Sequence, residues 1–287
     1  MRARLSVFDL FLFAFMGGMI VATLYPFLYM IAVSLSSNVH VLRGEVFLWP
    51  KGFNLNVYKM VLQDPKIIQA YINTIVYAVL GTSMSLIVTA AGAFAISKRE
   101  MMFQRGFMMM IVVTMFFSGG MIPTFLVVRA YGIVDTIWAM VLPTLVSTWN
   151  LIIMRTFFAG LPREVEESGK IDGLSDIGVF FRLALPLSKA ILATIGLFYA
   201  VSIWNNFFSA MLYLRNTELF PLQVVLRNLV LQGGGNNAGG SVGGDSLLVD
   251  ESIKYATIIV STLPILMVYP FLQKYFAKGA LIGSVKG

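Results

Sequence analysis

Charge gathers in one stretch of this 287-residue chain. The stretch reads Leu161-Pro-Arg-Glu-Val-Glu-Glu-Ser-Gly-Lys-Ile-Asp-Gly-Leu-Ser-Asp, runs on from Ile177 to Leu185 and ends at Pro186. Carboxylates at Glu164, Glu166 and Glu167 with an ammonium at Lys170 suit charge-assisted contacts to another protein surface. Bond-making chemistry needs other groups, and they are missing. There is no cysteine, the one histidine is His40, and no Ser-His-Asp set or carboxylate pair is placed for acid–base work. A phosphate-cradling G-x-x-x-x-G-K-[ST] loop is also absent, since Gly169-Lys170 is followed by Ile171 and lacks the upstream glycine. A second constellation, Trp204-Asn205-Asn206, joins an aromatic face to amide donors and acceptors within one helical turn. Stacking plus amide hydrogen bonds is what a neutral polyol needs. The same three residues could equally be glue between membrane helices.

The elements that carry these groups follow from local rules. Pro162 suits the first position of a short helix, and the glutamates fall in its first turns, where the helix dipole favours negative charge. Gly173 is a natural helix stop. Ser175 can cap a second short helix with apolar residues at Ile177, Phe180, Phe181 and Leu185, and Pro186 leads onward. The stretch is therefore predicted as a helix-turn-helix at a membrane surface. On composition alone it could be a plain connector with a solvated acidic face.

The membrane itself is read from hydropathy. The chain is 58% hydrophobic and 12% charged, about half the charge of a soluble domain. Six spans are predicted, near 8–34, 71–96, 107–128, 137–157, 190–212 and 255–272, at about 20 residues per span. The expected fold class is all-α, a polytopic membrane protein with six transmembrane helices. One transmembrane domain is expected over 1–287, with a core unit at about 71–273 and a cytoplasmic loop at 158–189. The first apolar run is too long for a signal-peptide core of about 7–15 residues. With the N-terminus inside, 13 of the 21 Lys and Arg residues fall on inside segments and 8 on outside ones, so both termini are expected in the cytoplasm. The net charge of +7 then orients the protein and does not imply nucleic acid. Two outside loops are long, 36–69 and 213–254, and Gly233–Gly244 within the second reads as a flexible linker. His40 reads as a solvated surface residue, and the methionines at 101–121 as adaptable packing. No Asp, Glu, Lys, Arg or His occupies the middle of a predicted span, which disfavours an ion-driven carrier.

The charged stretch resembles the EAA loop of binding-protein-dependent ABC importer permeases. Glu167-Ser168-Gly169 stands where the family has Glu-Ala-Ala, Asp172-Gly173 fits the glycine position, and Leu183-Ala184-Leu185-Pro186 resembles the closing Ile-x-Leu-Pro. Ser168 and Gly169 depart from two alanines; both are small. The resemblance extends over nearly the whole chain and points to the carbohydrate branch, in particular the second permease of maltose-type importers. Tyr25-Pro26-Phe27, Asn73-Thr74, Pro123, Trp138 to Pro143, Trp204-Asn205-Asn206-Phe207 and the tail from Gln273 to Gly287 carry it.

The resemblance implies a permease that is not itself an enzyme and binds no cofactor. ATP and magnesium would sit in two partner ATPase subunits. A second permease would complete a heterodimer in a bacterial cytoplasmic membrane, and an extracytoplasmic binding protein would deliver an oligosaccharide, uronate-containing or polysaccharide-derived. Glu164, Glu167, Ser168, Gly169, Asp172, Gly173 and Pro186 would form the coupling site to an ATPase. Gly283, Ser284 and Lys286 in the tail would add contacts to it, and Trp204, Asn205 and Asn206 would line the sugar path. A permease for another solute is the alternative.

Overall fold

The computed structural model describes residues 7–98, 100–235, 252–267 and 270, and every element among them is helical. In chain order these are α1 (Val7–Ser34), α2 (Asn38–Leu42), α3 (Asn56–Gln63), α4 (Pro65–Ser97), α5 (Gln104–Phe116), α6 (Met121–Ala130) and α7 (Ile137–Val141). They continue as α8 (Thr148–Ala159), α9 (Arg163–Ile171), α10 (Asp176–Val179), α11 (Leu185–Leu187), α12 (Lys189–Trp204), α13 (Phe208–Tyr213) and α14 (Leu222–Gly235). An apolar helix, α15, follows at Ser252–Met267. The chain divides into two compact units, Met1–Ile68 with Val225–Leu263, and Gln69–Val224 with Pro264–Gly287.

Among the described residues two helices, α1 and α4, are long and apolar enough to cross a bilayer unbroken. Helix α1 holds Pro26 and keeps its apolar side chains exposed, as a lipid-facing helix does. Helix α4 starts at Pro65, earlier than the hydropathy reading placed it, because proline fits the first helical turn. Three further apolar segments are bent. The α5–α6 pair turns by 114° at Phe117–Gly120, α7 with its following 3₁₀ turn meets α8 at 53°, and Asp176–Leu187 meets α12 at 83°. Hydropathy averaged over a span-length window does not register such breaks, because each spans only one to four residues between strongly apolar helices.

In the first unit, the end of α1 packs Ala32 and Val33 on Val46, with Tyr29 and Tyr255 beside them. His40 here is not free on the surface as the sequence suggested. Its Nδ1 lies 2.7 Å from a Glu45 carboxylate oxygen. The first glycines of the 233–244 run, expected as linker, still belong to α14, which extends to Gly235; residues 236–244 lie outside the described residues.

In the second unit, α4, α8 and α12 share a core of Ala90, Ala93, Leu151, Met154, Phe158, Ile195 and Tyr199. Phe180 and Ala184, from a π-helical turn at Phe180–Ala184, join that core. The start of α4 is tied to the 217–222 loop by side-chain bonds. Asn73 Nδ2 donates to the Glu218 and Phe220 carbonyls at 2.6 and 3.1 Å, and the Tyr77 hydroxyl donates to Leu219 at 2.7 Å. Thr74 Oγ1 accepts the Leu222 N–H at 2.8 Å. These bonds satisfy backbone groups of a short 3₁₀ turn and its flanks that burial would otherwise leave costly.

Candidate functional site

The charged stretch folds as a helix, a tight turn and a second helix. Pro162 precedes α9 and Gly173 ends it with φ +76°, a left-handed conformation in which glycine carries no Cβ penalty. The Leu174 N–H bonds the Gly169 carbonyl at 2.9 Å, and the Gly173 N–H bonds the Lys170 carbonyl at 3.1 Å. This crossed pair is a Schellman closure, which satisfies carbonyls that a helix end leaves open. Ser175 then caps α10 by accepting the Gly178 N–H at 3.3 Å.

The faces of α9 divide by charge partner. Glu164 and Glu167, three residues apart, are exposed together with Ser168, Asp172 and Gly173. Ser168 satisfies its own hydroxyl on the Val165 carbonyl at 3.0 Å. Gly169 is buried, and a Cβ there would lie 2.8 Å from Leu183 Cδ1 and 3.0 Å from Val179 Cγ2. Its smallness lets α9 pack closely on the following helix. Pro186 is exposed within α11.

Glu166 faces the other way, a role the sequence reading missed. It is hydrogen-bonded to Lys98, the residue just beyond α4. Lys98 also lies 3.8 Å from Asp176 at the start of α10 and 4.5 Å from the Phe94 ring centre. Lys170 adds contacts of 3.4 Å to Glu166 and 3.9 Å to Glu100. Burial pushes the Glu166 carboxyl up, but Lys98 and then Lys170 outweigh it and hold the group below its ordinary value. Lys170 is held above the ordinary ammonium value by its bond to Glu166 and by the charge of Glu100. One lysine at the end of α4 thus grips both helices of the loop. The available signal was Lys98, the first of the Lys98-Arg99 pair that closes a long apolar run.

The second short helix turns part of its apolar face inward and part outward. Val179, Phe180 and Ala184 are buried, whereas Ile177 is 71% exposed and Phe181 61%. With Ile171 at 86% exposure, three large apolar side chains of this loop stand in the open. Exposed apolar residues on an otherwise charged loop mark a contact surface.

The Trp204-Asn205-Asn206 group lies at another break, between α12 and α13. Trp204 is only 8% exposed and meets the Tyr71 ring edge-on at 6.0 Å. Asn205 Nδ2 donates to the Val201 carbonyl at 2.9 Å. Asn206 exchanges bonds with Ser209, giving Nδ2 to its hydroxyl at 3.0 Å and accepting its N–H at 3.1 Å. Both amides thus serve the broken backbone. The tail residues Gly283, Ser284 and Lys286 lie outside the described residues.

These features are those of a membrane transport subunit, and comparison with known proteins places the chain among them. It is 46% identical over 98% of its length to protein LplC of Bacillus subtilis, covering 95% of that protein. It is 41% identical over 100% of both chains to the polygalacturonan/rhamnogalacturonan transport system permease protein YtcP of the same organism. Among solved structures, a chain of a bacterial ABC transporter involved in the import of the acidic polysaccharide alginate matches with a TM-score of 0.87 and 35% identity, over 94% of this chain and 96% of that one. No family model matches the chain. The chain belongs to the family of ABC sugar-importer permeases, which are transport components and not enzymes.

Proposed function

We propose that this chain is one of two different permease subunits that together carry a uronate-containing oligosaccharide across a bacterial cytoplasmic membrane, with six spans and both termini inside. Two ATPase subunits would supply the energy, and an extracytoplasmic binding protein would deliver the sugar. The substrate class rests on the relatives: one is described as transporting polygalacturonan and rhamnogalacturonan, and a structural relative imports alginate. All three are acidic polysaccharides.

The observation that carries the coupling part is the exposed face of α9 and α10. Glu167 and Gly173 share this exposed loop with Ile171, Ile177 and Phe181, a mix of charged and apolar groups suited to a groove on an ATPase. Glu164 and Asp172 would extend its charged rim, Ser168 and Gly169 would keep the helix close to its support, and Pro186 would start the return into the membrane. Closure of the ATPase pair on ATP would move this loop, and the Lys98 grip would pass the movement to α4. Gly283, Ser284 and Lys286 would add tail contacts to the ATPases. Trp204, Asn205 and Asn206 would line the sugar path through the shape of the break they hold. Gly173→Asp and Glu167→Lys should leave the protein in the membrane and abolish transport. Transport retained in both variants would sink the docking assignment.

A further inference from the structure

Arg155 lies one turn before the end of α8, and its Nε is shielded from solvent with no hydrogen-bond partner among the described residues. Neither α8 nor the adjoining α5 carries a carboxylate, so the counter-charge must come from elsewhere. The two helices run antiparallel. The Thr114 and Thr148 hydroxyls lie 3.2 Å apart, and Ile111, one turn earlier on α5, packs on the core that Leu151 and Met154 help to form. With the same rise per residue on both helices, Arg155, seven residues after Thr148, comes level with Phe107, seven residues before Thr114. Arg105, two positions from Phe107, is exposed in the first turn of α5, which holds no acidic residue. Two guanidinium groups thus share one end of the α5–α8 pair.

The turn that leads into α5 supplies an apolar counterpart. Phe103 has φ +60°, a left-handed conformation that is strained for a bulky residue. Its ring is nevertheless 76% exposed and Met102 beside it 75%, so packing among the described residues does not offset the strain. Gln104 Nε2 donates to the Ile96 carbonyl at 2.7 Å, and the Phe107 N–H bonds the Phe103 carbonyl at 3.1 Å, which fixes the turn between α4 and α5. Glu100, the carboxylate of this turn, lies 3.9 Å from Lys170. We propose that this end of the α5–α8 pair binds one anionic phospholipid of the cytoplasmic leaflet, resting on the reading that this end faces the cytoplasm. Arg155 and Arg105 hold the phosphate, and Met102 and Phe103 enter the boundary between headgroups and acyl chains. A guanidinium matches a phosphate with paired N–H donors, and basic sites between membrane helices on the cytoplasmic side suit such headgroups. A lipid supplies in one molecule the anion that Arg155 lacks and the apolar medium that Phe103 faces.

The test uses the full chain, purified with whatever accompanies it in mild detergent, and phosphatidylglycerol as the probe. Phosphatidylcholine and inorganic phosphate serve as controls. Retained lipid is counted by mass spectrometry, and the thermal midpoint is read with each additive. The wild type should retain phosphatidylglycerol and gain in midpoint on its addition, and neither control should reproduce the gain. Arg155→Gln and Arg105→Gln should each weaken lipid binding by about tenfold, the size of one lost charge-assisted contact, and Arg155→Lys should keep part of it. Phe103→Gly should raise the midpoint in lipid-free detergent, because the strain is relieved, and should shrink the gain from phosphatidylglycerol. Lipid binding unchanged in the Arg105→Gln/Arg155→Gln double variant overturns the site, as does an equal gain from inorganic phosphate. Where Arg155→Gln fails to assemble, full lipid retention by Arg105→Gln also overturns it, because an acidic group of another subunit would then be the partner; reduced retention upholds it. A chain that purifies without a second permease or an ATPase, yet shows the arginine-dependent lipid effect, keeps the site and overturns the importer reading instead.

Discussion

Lys98 and Glu166, 68 residues apart in the chain, are joined by a charge-assisted hydrogen bond that ties the end of α4 to the first turns of α9. Both side chains are mostly shielded, with 18% and 33% of their surfaces exposed. Desolvation offsets much of the attraction in a pair so placed, but removing one partner strands the other as an uncompensated shielded charge. Lys98→Met should lower stability by about 1–3 kcal/mol and reduce the ATPase stimulation that a loaded binding protein gives. Glu166→Gln should do less, because an amide oxygen can still accept from Lys98. A thermal midpoint and a stimulation ratio measured on both variants check this; equal effects would mean that a neutral acceptor at Glu166 rescues nothing and that its charge carries the whole interaction.

The same cluster sets a pH window. Glu166 has a lowered value, so its contribution is full above its ordinary value of 4.5 and is lost as pH falls through the lowered one. Lys170 has a raised value, so its contribution is full below 10.5 and is lost as pH rises through the raised one. The stability difference between the wild type and Lys170→Met should therefore be flat from about pH 6 to 9 and should shrink in acid. A difference that changes steadily across neutral pH would point to another titrating group.

Gly173 and Gly169 serve different ends, and substitutions should separate them. Nothing lies within 4 Å of a Cβ built on Gly173, so Gly173→Ala tests backbone strain alone and should cost about 1–2 kcal/mol. Gly173→Asn should cost less, since asparagine tolerates the left-handed region. At Gly169 the backbone is ordinary and space is short. Gly169→Val should cost about 1–3 kcal/mol by overpacking against Leu183 and Val179. Gly169→Ala should be close to neutral, its better helix propensity offsetting a small shift of the Leu183 side chain. Thermal midpoints in detergent decide each case.

Tyr199 holds the break before α8. Tyr199→Phe keeps the ring in the core but strands the Ser147 N–H and the Thr89 hydroxyl, for a cost of about 1–3 kcal/mol. Hydrogen exchange at the Ser147 amide should rise in the variant. Unchanged protection there would mean that the break is held by packing alone.

The helix-turn-helix at 161–186 was legible because its signals are local: a proline, first-turn glutamates, a left-handed glycine and a serine cap. What stayed hidden was which way each group faces. Glu166 and Glu167 are neighbours in sequence, yet one faces Lys98 and the other solvent, and only packing against α4 decides that. The apolar set on the second helix was also divided by packing, with Phe180 buried and Phe181 exposed. Hydropathy located apolar segments but not their bends, because Ser118-Gly119-Gly120 and the turn at 142–147 break helices without lowering hydropathy enough to register. Trp204-Asn205-Asn206 drew attention by composition, but its ring packs against Tyr71 and its amides bond the backbone and Ser209 at the break, which composition does not reveal.

The most direct measurement is extraction of the tagged chain in mild detergent, followed by identification of what accompanies it and an ATPase assay with and without loaded binding protein. A second permease and a P-loop ATPase should come down with it, and a binding protein loaded with oligogalacturonate or alginate oligosaccharide should stimulate hydrolysis, with Glu167→Lys abolishing both the ATPase association and the stimulation. Purification of the chain alone under every mild condition, or an ATPase association indifferent to Glu167→Lys and Gly173→Asp, would contradict the assignment of the α9–α10 face as the coupling surface.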